Sequence, residues 1–427
     1  MEEEVVLEAS KRHVLVLGAG MAGLAAVREL RRSFYVTVVD AKEYFEFTPG
    51  ILRAYVKPDH WETLVFPYQE VLESRLKVSF VWGEVVALNY HCAKVQMVQG
   101  EEPEEEIPFH FCIITTGCNF DQLSEYGVSP WFPVIHECAR AQRSAMDERY
   151  LEFRRRRILQ EHQQLIELNN KRAHILVVGA GYQGVQWACE LRYFFPSLTV
   201  FLTDFMPRCL GPLPEEAAQY CEEYMRSHGI LTKYNIKYDR NSDGFWQRIG
   251  LPHGAAKTYV LSGAKHSNYF VDEAAQSQRG PGGGGWILVN KFMQVVTSSG
   301  ERLGEGAIFA AGDCVSSSNE APKWELPPLP KTGFPAEQQA MLACRNIKAP
   351  VLPTHRMCRA PVGDFPKRYL EGHDALVASL GRWDLCHLPG LLVGTEGFEG
   401  SVSATGKDLH VDTFPGSPVV SIAPMFE

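Results

Sequence analysis

The sequence predicts an α/β fold made of two related domains and a small C-terminal region, and three observations carry that prediction. Residues 11–40 run apolar strand, glycine turn, helix, second apolar strand and terminal acid, in that order. The pattern recurs from residue 172, with the leading glycines Gly18 and Gly179 offset by 161 residues. Elsewhere, apolar runs that end in Thr115-Thr116-Gly117 and Gly312-Asp313 read as further buried strands.

The first strand is residues 14–17. Gly18, Gly20 and Gly23 then form G-x-G-x-x-G where a helix must start. Gly18 permits the tight turn, Gly20 lets the backbone approach a pyrophosphate, and Gly23 lets the helix pack closely on the strand. The helix N-terminus adds N–H groups and the positive end of a dipole. The second strand, residues 35–39, ends in Asp40, 22 residues past Gly18 and placed to accept hydrogen bonds from ribose hydroxyls. This is a Rossmann-like dinucleotide-binding unit. A glycine-tolerant turn that binds nothing is the weaker reading, because strand, helix and acid are all in register.

In the second copy Gly179, Gly181 and Gly184 take the same places. Its second strand, residues 198–203, leads to Asp204, 25 residues past Gly179, a longer spacing that a turn at 194–197 accommodates. A carboxylate there reads a ribose 2′-OH and repels a 2′-phosphate, which favours NADH over NADPH. Two units imply two dinucleotides, and a chain holding both usually passes hydride from a nicotinamide to a bound flavin.

Composition bounds the rest. A chain of 427 residues makes two or three domains. With 45% hydrophobic and 22% charged residues it is not mainly disordered. A net charge of −9 argues against nucleic acid as a main partner, and the basic run 154–157 is expected to be a solvated helix face. Eleven cysteines without C-x-x-C or zinc spacing suit a reducing compartment or a shielded protein, and no metal centre is expected. No apolar run approaches the ~18 residues of a membrane-crossing helix. The acidic N-terminus lacks both an h-region and an Arg-rich presequence, so the expected location is the cytosol if that end is complete.

Along the chain, the aromatic residues 41–61 read as a loop onto a ligand. Residues 76–98 alternate as antiparallel strands, and the acidic 100–108 is a turn. The strand over 109–120 ends at Thr116 and Gly117, small residues that let the chain turn beside a cofactor. Residues 136–171 have helical spacing, 239–285 are poorly patterned, and the glycine run 278–286 is a loop rather than a phosphate cradle. Residues 286–296 read as strands, and 306–315 as a buried strand whose Asp313 could bond flavin ribityl hydroxyls. A proline-rich loop capped by Thr332 then runs into a helix with Gln338 and Gln339 near its start. Amides at that N-terminus suit a reduced, anionic flavin ring. Cys314 and Cys344 are expected in the core or just behind the site. The domains are then 1–140 and 290–345 for FAD, 171–289 for NAD(P)H, and 346–427 as the C-terminal region.

Together these stretches resemble the flavoprotein reductases with two dinucleotide-binding domains, most closely the type II NADH dehydrogenases and the related ferroptosis-suppressor and apoptosis-inducing-factor-like quinone reductases. The first glycine motif with Asp40, the Thr-Thr-Gly of 115–117, and AIFAAGDCV look like the three FAD-contact motifs of that group. EYFEFTPGIL looks like the NYFLFTPLL of the type II enzymes, Gly333 to Gln339 resembles their quinone-site A-Q-x-A-x-Q-Q, and HDALVASLGR resembles the stretch before their membrane-binding tail. The resemblance implies FAD in the first domain, NADH in the second and a quinone reached from the C-terminal region. It assigns Gln338 and Gln339 to the quinone site. It also implies peripheral association with the mitochondrial inner membrane. Oligomeric state stays open, with a homodimer or a subunit of a larger assembly as the alternatives.

The departures from that pattern are specific. The C-x4-C of the glutathione-reductase branch is absent, which argues against a dithiol mechanism. In G-x-G-x-x-G-V-E the glutamate position holds Gln186, close to where the nicotinamide should lie, and Phe334 replaces the first glutamine of the quinone pattern. The tail after Gly394 lacks basic amphipathic helices. PKTGF also resembles sulfide:quinone reductases, for which Cys118, Cys344 and Cys358 are the candidate sulfur carriers. A third reading is a non-catalytic flavoprotein subunit with a structural or redox-sensing role.

Overall fold

The computed structural model describes residues 12–98, 104–119, 150–211, 213, 215–261, 263–280, 283–316 and 331–350, with two short strands at 376–377 and 391–392. The first unit opens with β1 (His13–Leu17), α1 (Met21–Leu30) and β2 (Tyr35–Asp40). β1 and β2 pair in parallel from His13↔Tyr35 to Leu17↔Val39. Residues 14–17 are fully buried, as an apolar run in a parallel sheet covered on both faces should be. After β3 (Tyr44–Glu46), α2 (Ile51–Val56) and β4 (Val65–Pro67), the chain adds β5 (Ser79–Leu88) parallel to β2. β6 (Cys92–Met97) and β7 (Glu104–Pro108) fold back antiparallel, and β8 (Phe111–Ile114) returns to the far side of β1.

β9 (Cys118–Asn119) follows, and α3 (Tyr150–Asn170) leads to the second unit. That unit contains β10 (His174–Val178), α4 (Tyr182–Phe194), β11 (Thr199–Thr203), α5 (Glu215–Ser227), β12 (Leu231–Lys233), α6 (Asp243–Ile249) and β13 (Lys257–Val260). Its four strands are all parallel, in the order β12-β11-β10-β13. β14 (Lys265–His266) pairs antiparallel with β9, so the two crossings of the chain between the units lie side by side. β15 (Ile308–Ala310) then completes the seven-stranded sheet β15-β8-β1-β2-β5-β6-β7, and α7 (Gly333–Lys348) packs along α1. The architecture is α/β with two Rossmann-like sheets, as the two glycine patterns predict.

Several elements differ from expectation, each for a packing reason. The aromatic stretch after Asp40 is mostly a buried wedge. Tyr44, Phe45, Ile51, Leu52 and Tyr55 are buried, and most of them share one apolar cluster with α4 and β10 of the second unit; Thr48, Pro49, Lys57 and Asp59 are exposed. The basic run 154–157 is not uniformly solvated. Arg154 lies on the same face of α3 as Ile158 and Leu165 and is buried against the wedge, while the next three arginines are exposed. The acidic 100–108 is not all turn, because Glu104–Pro108 forms the edge strand β7, whose glutamates stay exposed. The weakly patterned 239–285 contains α6 and the sheet strand β13. Residues 286–296 make isolated bridges, Ile287 to Val315 and Gln294 to Phe309 among them, rather than long strands. The part of the expected helix before Tyr150 lies outside the described residues.

Candidate functional site

The two glycine turns share one backbone plan. Gly18 and Gly179 have φ of +97° and +102°, and their amides donate to the carbonyls of Val39 and Thr203 at 2.7 and 2.8 Å. A Cβ on Gly23 would stand 1.9 Å from the Gly18 carbonyl oxygen, and one on Gly184 would stand 1.6 Å from that of Gly179, so each helix crosses its strand where only glycine fits. At Gly20 and Gly181 the opposite holds, because a Cβ there would meet nothing within 4 Å. These are the N-cap residues of α1 and α4, and no side chain caps either helix. Each turn therefore offers open space in front of first-turn amides, the geometry an anionic pyrophosphate needs.

The two acids also match. Asp40 Oδ2 accepts from Ala19 N at 2.7 Å and Oδ1 from Lys42 N at 2.8 Å. Asp204 Oδ2 accepts from Ala180 N at 2.6 Å and Oδ1 from Met206 N at 2.8 Å. Each carboxylate is thus a staple across its glycine turn, and the remaining lone pairs of its part-exposed oxygens can still meet ribose hydroxyls. Burial raises the Asp40 carboxyl above the ordinary range, with Lys42 opposing it. The carbonyl of Ala19 is satisfied by the hydroxyl of buried Tyr68 at 2.8 Å, and that of Ala180 by Leu210 N at 2.8 Å. Tyr68 is missing from the sequence reading, since nothing in a residue 49 positions from Ala19 marks it as part of the turn.

Beside the first turn, three chain segments meet where strands end. Thr115 Oγ1 donates to the carbonyls of Leu17 and Gly18 at 3.0 and 2.6 Å, tying the end of β8 to the turn. Thr116 Oγ1 donates to Oδ1 of fully buried Asn268 at 3.1 Å, whose Nδ2 donates to the carbonyls of Gly285 and Cys314 at 3.2 and 3.1 Å. Gly117 is open, with nothing within 4 Å of a Cβ. Gly312 is close to both helix starts: a Cβ on it would stand 3.1 Å from that of Ala22 and 3.3 Å from that of Ala336. Gln339 Oε1 accepts from Gly312 N at 2.8 Å, so this glutamine ties α7 to the end of β15 from a buried position, while Gln338 is part-buried. Gly20, Thr116, Gly117, Gly312 and Asp313 thus surround the start of α1.

Asp313 is part-buried and only weakly supplied with donors. Burial pushes its carboxyl up to about 6 against the pull of Lys331, and among the described residues the weak thiol donor Cys118 Sγ, at 3.9 Å from Oδ2, is its hydrogen-bond partner. A part-buried carboxylate with so weak a donor keeps acceptor capacity that fits the ribityl hydroxyls of a flavin nucleotide. Lys331 Nζ donates to the carbonyls of Asp313 and Val315 at 2.6 and 3.0 Å and lies 3.6 Å from the ring centre of Trp286. Lys331 is the lysine of PKTGF itself, and nothing in that stretch marks it as a partner of the carbonyls at the end of β15.

In the second unit Gln186 lies on α4, 8% exposed, one turn before fully buried Glu190. Glu190 is held by Arg53 of α2, whose Nε lies 2.9 and 2.7 Å from its two carboxylate oxygens. The spacing of four from Gln186 was the signal for Glu190; Arg53 has none in the sequence. Burial pushes the thiol of Cys118 well above the cysteine range, and Cys344 is core, its thiol against the Ala26 carbonyl. Cys358 and the tail lie outside the described residues, whose cysteines are all unbridged. Among the described residues no cluster could hold a metal ion and no helix is long and apolar enough to cross a membrane.

Comparison with known proteins places this geometry. Residues 12–340 match the family described as pyridine nucleotide-disulphide oxidoreductase. The chain is similar to ferroptosis suppressor protein 1 of Xenopus tropicalis, 24% identical over 406 residues that cover 90% of each chain. It is also similar to a type II NADH:quinone oxidoreductase of Staphylococcus saprophyticus, 23% identical with 79% of this chain and 82% of the relative covered. Among solved structures, the sulfide:quinone oxidoreductase of Aquifex aeolicus shares the fold, with a TM-score of 0.58 at 16% identity over 80% of this chain and 77% of that one.

Proposed function

The chain belongs to the pyridine nucleotide-disulphide oxidoreductase family, and on that premise we propose that it is an FAD-dependent oxidoreductase that takes hydride from NADH and passes electrons to a quinone. The observation that carries the reading is the duplicated cradle: two open, uncapped glycine turns, each stapled by an aspartate, in one chain. FAD, when bound, supplies the redox chemistry, accepting hydride and releasing two electrons to the acceptor. The chain's own part is to hold and orient. Gly20 and the first turn of α1 would take the FAD pyrophosphate, Asp40 a ribose, and Asp313 with Thr116 and Gly117 the ribityl chain. Gly181, Gly184 and Asp204 would hold NADH in the same way.

Two features favour NADH over NADPH and a quinone over sulfide. The Asp204 carboxylate repels a 2′-phosphate, and Arg208, four residues further along the chain, spends its guanidinium on the carbonyls of Cys209, Leu210, Gly211 and Leu213. The sulfur reading needs two cysteines flanking one site, and among the described residues the core position of Cys344 does not supply the second. Gln186 would hydrogen-bond the nicotinamide carboxamide or a quinone oxygen, but an amide cannot carry a proton at neutral pH. Gln338, part-buried in the second turn of α7, is the candidate contact for the acceptor. A quinone acceptor fits peripheral association with a membrane.

The test is anaerobic mixing of the purified protein with NADH. The expected result is a yellow protein whose visible absorbance bleaches with NADH, faster than with NADPH, and recovers on adding a soluble quinone. A folded protein that takes up no FAD, or whose flavin NADH leaves oxidised, overturns the reading.

A further inference from the structure

We propose that Arg53 and Glu190 are positioning residues: a buried clamp between the units that sets the nicotinamide-bearing helix of the second unit against the flavin of the first. The inference rests on the functional reading above and assigns it two residues that no glycine motif contains.

The geometry is specific. Arg53 lies on α2, in the wedge that the first unit sends between the two sheets, and Glu190 lies on α4, the helix that opens with the second glycine turn. Their side chains are 13% and 0% exposed, with Arg53 Nε 2.9 and 2.7 Å from the two carboxylate oxygens. The guanidinium also lies 5.5 Å from the ring centre of Phe194. Gln186, Glu190 and Phe194 are spaced by four, so they form one stripe along α4. Arg53 grips two of the three, and the third is the residue nearest the nicotinamide end. One position on, Tyr55 of α2 meets Trp187 of α4 edge to face at 5.9 Å.

A buried ion pair adds little stability over apolar side chains of the same volume, because desolvation offsets attraction. What it adds is direction, since one buried Nε–H shared between both carboxylate oxygens restricts the relative orientations of the helices that carry them. Hydride transfer needs that kind of restraint, as a misplacement of about 1 Å can cost about 100-fold in rate. Apolar packing between α2 and α4 would hold the units together. The clamp holds Gln186 at one height and angle above the first unit.

Two variants of the full-length, FAD-loaded protein separate this role from stability. Glu190→Gln keeps shape and loses the charge. The double variant Arg53→Met/Glu190→Met fills the same volume with apolar side chains and removes the directional bonds. Three quantities are read for each: thermal midpoint with bound FAD, NAD⁺ affinity, and the long-wavelength charge-transfer absorbance on anaerobic mixing with NADH, alongside the rate of flavin bleaching. The expected result for the double variant is an unchanged midpoint and FAD content, NAD⁺ affinity within about 3-fold, loss of the charge-transfer band, and bleaching slowed by about 100-fold. Reoxidation of chemically reduced enzyme by a quinone should stay at the wild-type rate. If both folded variants keep the wild-type band and bleaching rate, or if their only change is a lower midpoint, the clamp is structural and the proposal is overturned. A wild type that NADH does not bleach overturns the functional reading and this inference with it, whereas a bleaching wild type with unaffected variants overturns the inference alone.

Discussion

At Asp313 the field around one carboxyl would, in the role proposed for it, make FAD binding depend on pH. Burial pushes the group up to about 6, so in the protein without FAD it is protonated below that pH and ionised above it. Ribityl hydroxyls donate to a carboxylate and stabilise the ionised form, so uptake of FAD expels a proton wherever the free site is protonated. The sign follows. FAD affinity should be flat above pH 6 and fall below it, by about 10-fold per pH unit for one linked proton. The same raised value means that the protein without FAD loses stability as pH rises from the ordinary aspartate range towards 6, and bound FAD offsets that loss. Reconstitution isotherms between pH 5 and pH 8 check it, and Asp313→Asn should bind weakly with a flat profile. A wild-type profile that is equally flat across pH 6 contradicts the role given to this carboxyl.

Among the elements, α3 and the wedge it covers show how far helix patterning reaches. Arg154, Arg155, Arg156 and Arg157 look alike in sequence as a run of four cations, yet Arg154 falls four residues before Ile158 and eleven before Leu165, on the stripe that α3 buries. The legible part was the stripe; which of the cations it would recruit depended on a glutamate 108 residues away. Arg154 donates to both oxygens of Glu46, at 3.0 and 3.2 Å, and to the Tyr55 hydroxyl at 2.8 Å, all buried. Arg154→Met would leave the Glu46 carboxylate buried without its cation, at a cost of about 3–5 kcal/mol. Arg155, whose pair with Glu62 is exposed on both sides, should cost less than about 1 kcal/mol when changed to Met. Urea midpoints of the two variants decide between them; equal, small effects would mean that the wedge tolerates an unpaired acid. β13 was missed for a simpler reason, because four residues, Lys257–Val260, are too few to show a period.

The whole molecule is a repeat with unequal neighbours, and the repeat is the part that the sequence makes plain. A glycine turn is set by constraints within about 25 residues, so its strand, crossing point and acid can all be read locally. Contacts that join distant segments leave no such trace: Thr116 meets Asn268 across 152 positions, and Arg53 meets Glu190 across 137. What the repeat leaves undecided is which turn takes which nucleotide, since the two cradles match to within about a tenth of an ångström in the bonds that form them. Their surroundings differ. Only the first turn lies beside the strand-end cluster of Thr116, Gly117, Gly312 and Asp313, which suits a ribityl chain and ring, so the proposed function assigns FAD to the first turn and NADH to the second. Gly20→Val and Gly181→Val test this without disturbing the fold, because a side chain at either position enters open space. Gly20→Val should yield a folded, colourless protein that still binds NAD⁺. Gly181→Val should stay yellow, keep its thermal midpoint and no longer bleach with NADH. The third glycines are the control: Gly23→Ala and Gly184→Ala press a methyl against a carbonyl oxygen, so both should lower the midpoint. Swapped outcomes, with Gly181→Val colourless and Gly20→Val yellow, would show that the two nucleotides occupy the turns in the opposite order.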